Sequence, residues 1–216
     1  MLDMSHPDAS DAHLEGSVAY RASRALAAGE SAAAATPAAA FRTARRRFLA
    51  GERLDMQALA LELGVSRQTL YRWTGSREEL LSDVLFSLSD SSFAEAKRQT
   101  AQLMGAERLL AVFRHHVTAI VSSVPLQTFV RRETQTALRI LTARHGSVNA
   151  RTIRRLAALY RSEQAAGHFD PRADIDTLAF AVVCLTESFI YNDAHAAVEP
   201  EVERAAAVVA LLLGAG

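Results

Sequence analysis

Between residues 64 and 77 the chain reads Gly64-Val65-Ser66-Arg67-Gln68-Thr69-Leu70-Tyr71-Arg72-Trp73, then Ser76-Arg77 two residues on. Hydroxyl, amide and guanidinium groups crowd this stretch, and these are the groups that donate to phosphates and base edges. Ser66 is placed to cap a helix, so that the positive end of its dipole and the side chains of Arg67, Gln68 and Thr69 face outward. Tyr71 and Arg72 follow one turn later, and Arg77 opens the next helix. Arg45, on a preceding helix, is either a further phosphate contact or a solvated charge, and Tyr71 and Trp73 have core packing of this segment as their rival role.

The rest of the chain offers little for catalysis. It has no nucleophile elbow, phosphate loop or paired metal-ligand spacing, and Cys184 stands in its most apolar segment, where a thiol is usually inert. His115 and His116 point about 100° apart on a helix and cannot chelate one metal together. No metal, cofactor or enzymatic activity is expected. Glu187 interrupts an apolar run and, unless it is simply exposed, must find a donor, either among Arg131, Arg132 and Arg139 or in an effector pocket shared with Tyr191. His115 and Phe129 are further candidates for lining such a pocket, although Phe129, with Phe180 and Phe189, also reads as core.

These groups need helices to hold them. Thr36 and Pro37 form a helix start, and Phe41, Ala44, Phe48 and Leu49 recur at helical spacing up to Gly51. Asp55 caps a second helix carrying Met56, Leu59, Ala60 and Leu63, and after the turn Gly64-Val65 a third runs from Ser66 through Trp73. That is the arrangement of a helix-turn-helix, with Ala60 small where the two helices would cross and Gly64 supplying the turn. Ser76, with Glu78 and Glu79 in the first turn, opens a long helix expected to reach about Leu103. Five more fit near 105–123, 126–144, 148–166, 172–193 and 200–213, separated by Pro or Gly signals. With no sustained period-two alternation, the expected fold is all-α with about nine helices. Its expected division is an Ala-rich arm over 1–35 with a possible extra helix, a helix-turn-helix domain over 36–82 and a helical domain over 83–216.

The 216 residues carry a net charge of +0, which taken as a total speaks against a polyanionic partner. Resolved by segment, the zero is a cancellation. Residues 36–77 hold eight basic residues against three acidic, whereas residues 1–35 and 78–216 are each acidic on balance. A single cysteine, no signal segment and no apolar run of membrane-spanning length fit a cytoplasmic protein. Residues 178–191 are apolar on nearly every helix face, and residues 202–213 supply a second apolar helix. Burying both calls for a second copy, so a homodimer through the last two helices is expected.

The run from Gly64 to Trp73, followed by Ser76-Arg77-Glu78-Glu79-Leu80-Leu81, resembles the signature of TetR-family transcriptional regulators. The resemblance covers residues 36–82 as sequence and the remainder as a helix plan. It implies a DNA-binding headpiece, a C-terminal effector pocket and dimerisation through the last two helices. It also implies that Arg67 and Gln68 read bases while Thr69, Tyr71 and Arg77 contact phosphate. Trp73-Thr74 stands where the family often has His-Phe, and Asp55 where it commonly has threonine. The segment from Glu187 to Asp193, with Leu70-Tyr71-Arg72-Trp73, is similar to the QsdR-type branch, associated with control of quorum-signal lactone degradation. The function implied is a regulator, most simply a repressor, released from a double-stranded DNA operator by a small effector such as a lactone or another acyl compound. The alternative is an all-α small-molecule binding or protein-interaction module without DNA binding.

Overall fold

The structure, a computed structural model, describes residues 35–142, 147–191 and 202–215. The arm expected over 1–35 therefore lies, apart from Ala35, outside the described residues. The described residues form ten helices and no strand: α1 (Pro37–Leu49), α2 (Met56–Glu62), α3 (Arg67–Thr74), α4 (Arg77–Gln99), α5 (Gly105–Val121), α6 (Val124–Arg132), α7 (Thr134–Thr142), α8 (Ser147–Ala165), α9 (Ile175–Tyr191) and α10 (Val202–Leu213).

Local chemistry sets the starts of the first four. Thr36 Oγ1 accepts from Ala39 N–H at 3.1 Å with Pro37 at the first helical position. Asp55 accepts from the N–H groups of Gln57 (2.8 Å) and Ala58 (2.9 Å), and these bonds hold its carboxyl below the usual aspartate range. Ser66 Oγ accepts from Thr69 N–H at 3.0 Å. A reciprocal pair opens α4, with Glu79 N–H donating to Ser76 Oγ (3.1 Å) and Ser76 N–H to Glu79 Oε2 (2.6 Å).

The largest differences from the expected boundaries are two. The helix expected over 126–144 is two, because Glu133 leaves the helical backbone region (φ −133°, ψ 47°) and the Thr134 hydroxyl donates to Val130 C=O at 2.8 Å, engaging the carbonyl that the helix would use. The long fourth helix stops at Gln99, where Thr100 Oγ1 donates to Ala96 C=O at 2.8 Å and the chain turns toward Gly105.

The chain divides into two compact units, residues 1–84 and 85–216, with α4 crossing the boundary. In the first, α1, α2 and α3 pack on one another and bury Ala40, Ala44, Leu59 and Leu70 completely, with Phe41, Phe48 and Leu54 beside them. In the second, α8 packs on α9, α10 on α5, and α5 on α8, around Leu109, Val112, Val117, Tyr160, Val182 and Val209.

A buried carboxylate ties the second unit together. Glu163 near the end of α8 accepts from Gly105 N–H at 2.9 Å and from Arg108 Nη1 at 2.6 Å, which fastens the start of α5 to α8. Both oxygens are engaged, as a buried charge requires. Gly105 has φ +59°, and a Cβ there would meet the His168 carbonyl oxygen at 2.2 Å, whereas one at Gly64 (φ +66°) would meet open space. Gly64→Ala is therefore expected to cost about 1 kcal/mol from backbone strain alone. Gly105→Ala, which adds a steric clash, should cost about 3 kcal/mol or more. Urea denaturation of the two variants checks the order.

Candidate nucleic-acid interface

Helix α3 has only eight residues, and its two faces have separate roles. Leu70 and Thr74, one turn apart, are buried, with Leu70 fully so, and the Thr74 hydroxyl donates to Leu70 C=O at 3.0 Å. Burying these positions turns Gln68, Tyr71 and Arg72 outward, Arg67 stands at the first helical position, and all four are exposed, Tyr71 at 40%. The Arg67 guanidinium lies 6.0 Å from the Tyr71 ring centre, one turn along the same face. Thr69, partly buried, has its hydroxyl 2.9 Å from the exposed Ser66 hydroxyl. Ser66 through Arg72 thus forms one exposed edge with its donors at a helix N-terminus.

The turn before α3 needs Gly64 with φ +66°, and Val65 N–H donates to Ala60 C=O at 3.0 Å across it. Trp73 is partly buried. Arg77 Nε donates to Leu54 C=O at 2.6 Å, so this side chain ties the start of α4 to the segment before α2. Arg45 is partly buried on α1. Glu62 was no candidate from sequence, yet it accepts from Arg46 Nη2 at 2.5 Å and from Arg47 Nε at 2.9 Å, neutralising part of the basic surface of α1. No local pattern links positions sixteen residues apart, so only the packing of α1 on α2 reveals this contact.

In the second unit the structure separates the candidates for a ligand pocket. His115 is exposed, and its neighbour His116 is the histidine that turns inward. The signal was present in sequence: Leu109, Val112, Phe113 and Val117 mark the apolar stripe of α5, and His116 falls on it. His116 Nδ1 lies 2.9 Å from Ser92 Oγ, and its Nε2 lies 3.3 Å from Arg155 Nη2. Desolvation, reinforced by the Arg155 charge, pushes its pKa down to about 3. Phe129 is buried on α6 and Glu187 partly buried on α9, while Tyr191 is the last residue of α9. Phe180, read from sequence as core, is 44% exposed, because α9 buries Ala179, Val182 and Val183 and turns Phe180 away from them. Of the resemblance segment, Asn192 and Asp193 lie outside the described residues. Among the described residues no group of three or more His, Cys, Asp or Glu could hold a metal ion, and no single helix is long and apolar enough to cross a membrane.

Comparison with known proteins gives one family match and two solved structures of similar chains. Residues 104–214 match the family described as Tetracyclin repressor-like, C-terminal domain. The chain is similar to the transcriptional repressor QsdR from R. erythropolis, a TetR-family structure, with 32% identity over 81% of this chain and 92% of that one and a TM-score of 0.75. The TetR-family regulator PfmR from Thermus thermophilus matches at 21% identity over 81% of this chain and 97% of that one, with a TM-score of 0.39. No curated protein matches the chain.

The buried imidazole sets a pH dependence. His116 takes up a proton near pH 6.5 in the unfolded chain but near 3 in the folded one, so the unfolded state binds more protons between these values. Stability is full above about pH 6.5 and falls by up to about 1.4 kcal/mol per unit as pH drops below it. Thermal melts from about pH 8 to about pH 4 should show this decline, and His116→Asn should flatten it while His115→Asn leaves it intact.

Proposed function

The chain belongs to the TetR family of transcriptional regulators, a family without enzymatic activity, and from that premise we propose that it is a repressor released from its operator by a small molecule. The observation that carries this reading is the exposed edge from Ser66 to Arg72, capped at its start and held by a buried Leu70. A helix presented this way enters a major groove with its N-terminal residues against base edges. Arg67 and Gln68 have the donors for base readout, while Ser66, Thr69, Tyr71 and Arg72 suit phosphates. Arg77 supports this edge by its bond to Leu54 C=O and brings a cation near the backbone of the duplex. Arg45 adds a weaker phosphate contact from α1.

The same reading gives the second unit two roles. Its interior senses an effector, a lactone or another acyl compound, with Phe129, Glu187 and Tyr191 as candidate lining. The outer faces of α9 and α10 pair with those of a second copy. Phe180 on α9 is 44% exposed and Leu211 on α10 is 76% exposed, apolar surface that a second copy would cover. A two-fold dimer would present two α3 helices to a pseudo-palindromic site in the cytoplasm.

Selection from random duplexes, followed by fluorescence anisotropy across a salt series, tests DNA recognition. Gln68→Ala or Arg67→Ala is expected to lower specific binding about 10- to 100-fold with a smaller effect on non-specific duplex. Arg77→Ala should weaken both and flatten the salt dependence. Unchanged specificity ratios would remove the base-reading role, and no affinity for any duplex at low salt would favour a binding module that does not contact DNA. Sedimentation tests the dimer: Phe180→Asp combined with Leu211→Asp should yield monomers and weaken operator binding, because each half-site then binds alone.

A further inference from the structure

One guanidinium inside the second unit has neutral neighbours on most sides. Arg155 rises from α8 with its side chain only 12% exposed. Its guanidinium lies 4.3 Å from the centre of the Phe93 ring and 5.5 Å from that of Phe86. Nη2 donates to Ser89 Oγ at 3.1 Å and to His116 Nε2 at 3.3 Å. That contact requires an unprotonated Nε2, so the imidazole proton sits on Nδ1 and is donated to Ser92 Oγ at 2.9 Å. The Ser92 hydroxyl donates its own proton to Ser89 C=O at 3.0 Å. Every member of this chain is neutral except the guanidinium that starts it. Nε is buried and has no hydrogen-bond partner among the described residues.

The anion supplied to this cation is a poor one. Asp90 reaches Nη1 at 3.2 Å through one oxygen, and its side chain is 57% exposed. Charge-assisted bonds of this kind are usually about 2.7–2.9 Å, and a guanidinium prefers a carboxylate gripped by two parallel bonds. Burial pushes the Arg155 guanidinium below its ordinary range, with the Asp90 contact only partly opposing this. One turn earlier on α8, the buried Arg151 stacks its guanidinium 4.1 Å from the other aromatic ring, that of Phe86.

We propose that Arg155 is the anchor for the carboxylate of an organic acid, and that Asp90 is a built-in competitor which the ligand displaces. Ser89 and His116 hold the guanidinium in position. Phe86 and Phe93 flank it with apolar surface that suits the alkyl part of the ligand. Asp90 is exposed enough to swing into water when displaced, at little cost. A guanidinium held by neutral acceptors suits a planar monoanion; a phosphate dianion would need more charge. The proposal rests on the reading of the second unit as an effector sensor and names the chemistry of that effector as a free acid rather than a neutral lactone.

The test uses the purified full chain and calorimetric titration at neutral pH with acetate, butyrate, octanoate and decanoate, against octanamide and γ-octalactone as neutral probes. At least one carboxylate is expected to bind, and octanoate at least about 10-fold tighter than octanamide or γ-octalactone, the scale set by one charge-assisted pair. Arg155→Gln should lose this preference. Asp90→Asn, which alters an exposed side chain, should strengthen carboxylate binding several-fold by removing the competitor, an effect a merely structural ion pair would not produce. No binding by any carboxylate, equal affinity for the neutral probes, or weaker or unchanged binding in Asp90→Asn overturns the proposal. If the wild type binds duplex DNA but no carboxylate, the site assignment fails and the regulator reading stands. If it binds carboxylate but no duplex, the regulator reading fails and the site stands.

Discussion

An eight-residue helix does not persist alone in water, since nucleation costs more than so short a ladder of hydrogen bonds returns. What the first unit can present to a partner therefore depends on one burial event, Leu70 of α3 seated without exposure among α1 and α2. The Ser66 cap and the left-handed Gly64 set the entry to the helix, but Leu70 sets its rotation. Because residues four apart share a helix face, fixing Leu70 and Thr74 inward sends Gln68, Tyr71 and Arg72 outward, while Arg67 is exposed as the first residue of the helix. A polar residue at 70 would lose the orientation of these side chains at once.

The second unit solves a different problem: how to hold polar groups inside a helical core. Glu163 does so with full compensation, taking bonds from Gly105 N–H and Arg108. Arg155 does so with less, through neutral acceptors, two aromatic rings and one exposed carboxylate. The first arrangement fastens α5 to α8. The second leaves a cation for which a better anion would be a gain, and a difference of that kind is what lets a ligand bias one conformation over another.

The charge of this chain is distributed unevenly along it. The neutral total concealed a basic segment over 36–77, and counting by segment exposed it. Packing then corrected the count in turn, because Glu62 on α2 takes two of the α1 arginines and Leu54 C=O takes Nε of Arg77. The groups left to define the exposed edge are fewer than the charge count suggests and lie on α3.

The sequence by itself determined what depends on neighbours a few residues apart. Caps at Thr36, Asp55, Ser66 and Ser76, the turn at Gly64 and the helical spacing of apolar residues are short-range rules, and each reappears in the structure. The break at Glu133 escaped because a Thr hydroxyl bonding back to a carbonyl is compatible with a continuous helix and with a kinked one. Tertiary structure alone decided which polar groups would meet across distant segments. Arg47 meets Glu62 across 15 residues, His116 meets Arg155 across 39, and Gly105 meets Glu163 across 58. A helix carries its periodicity within a few turns of chain, whereas the identity of the surface it packs against comes from distant segments.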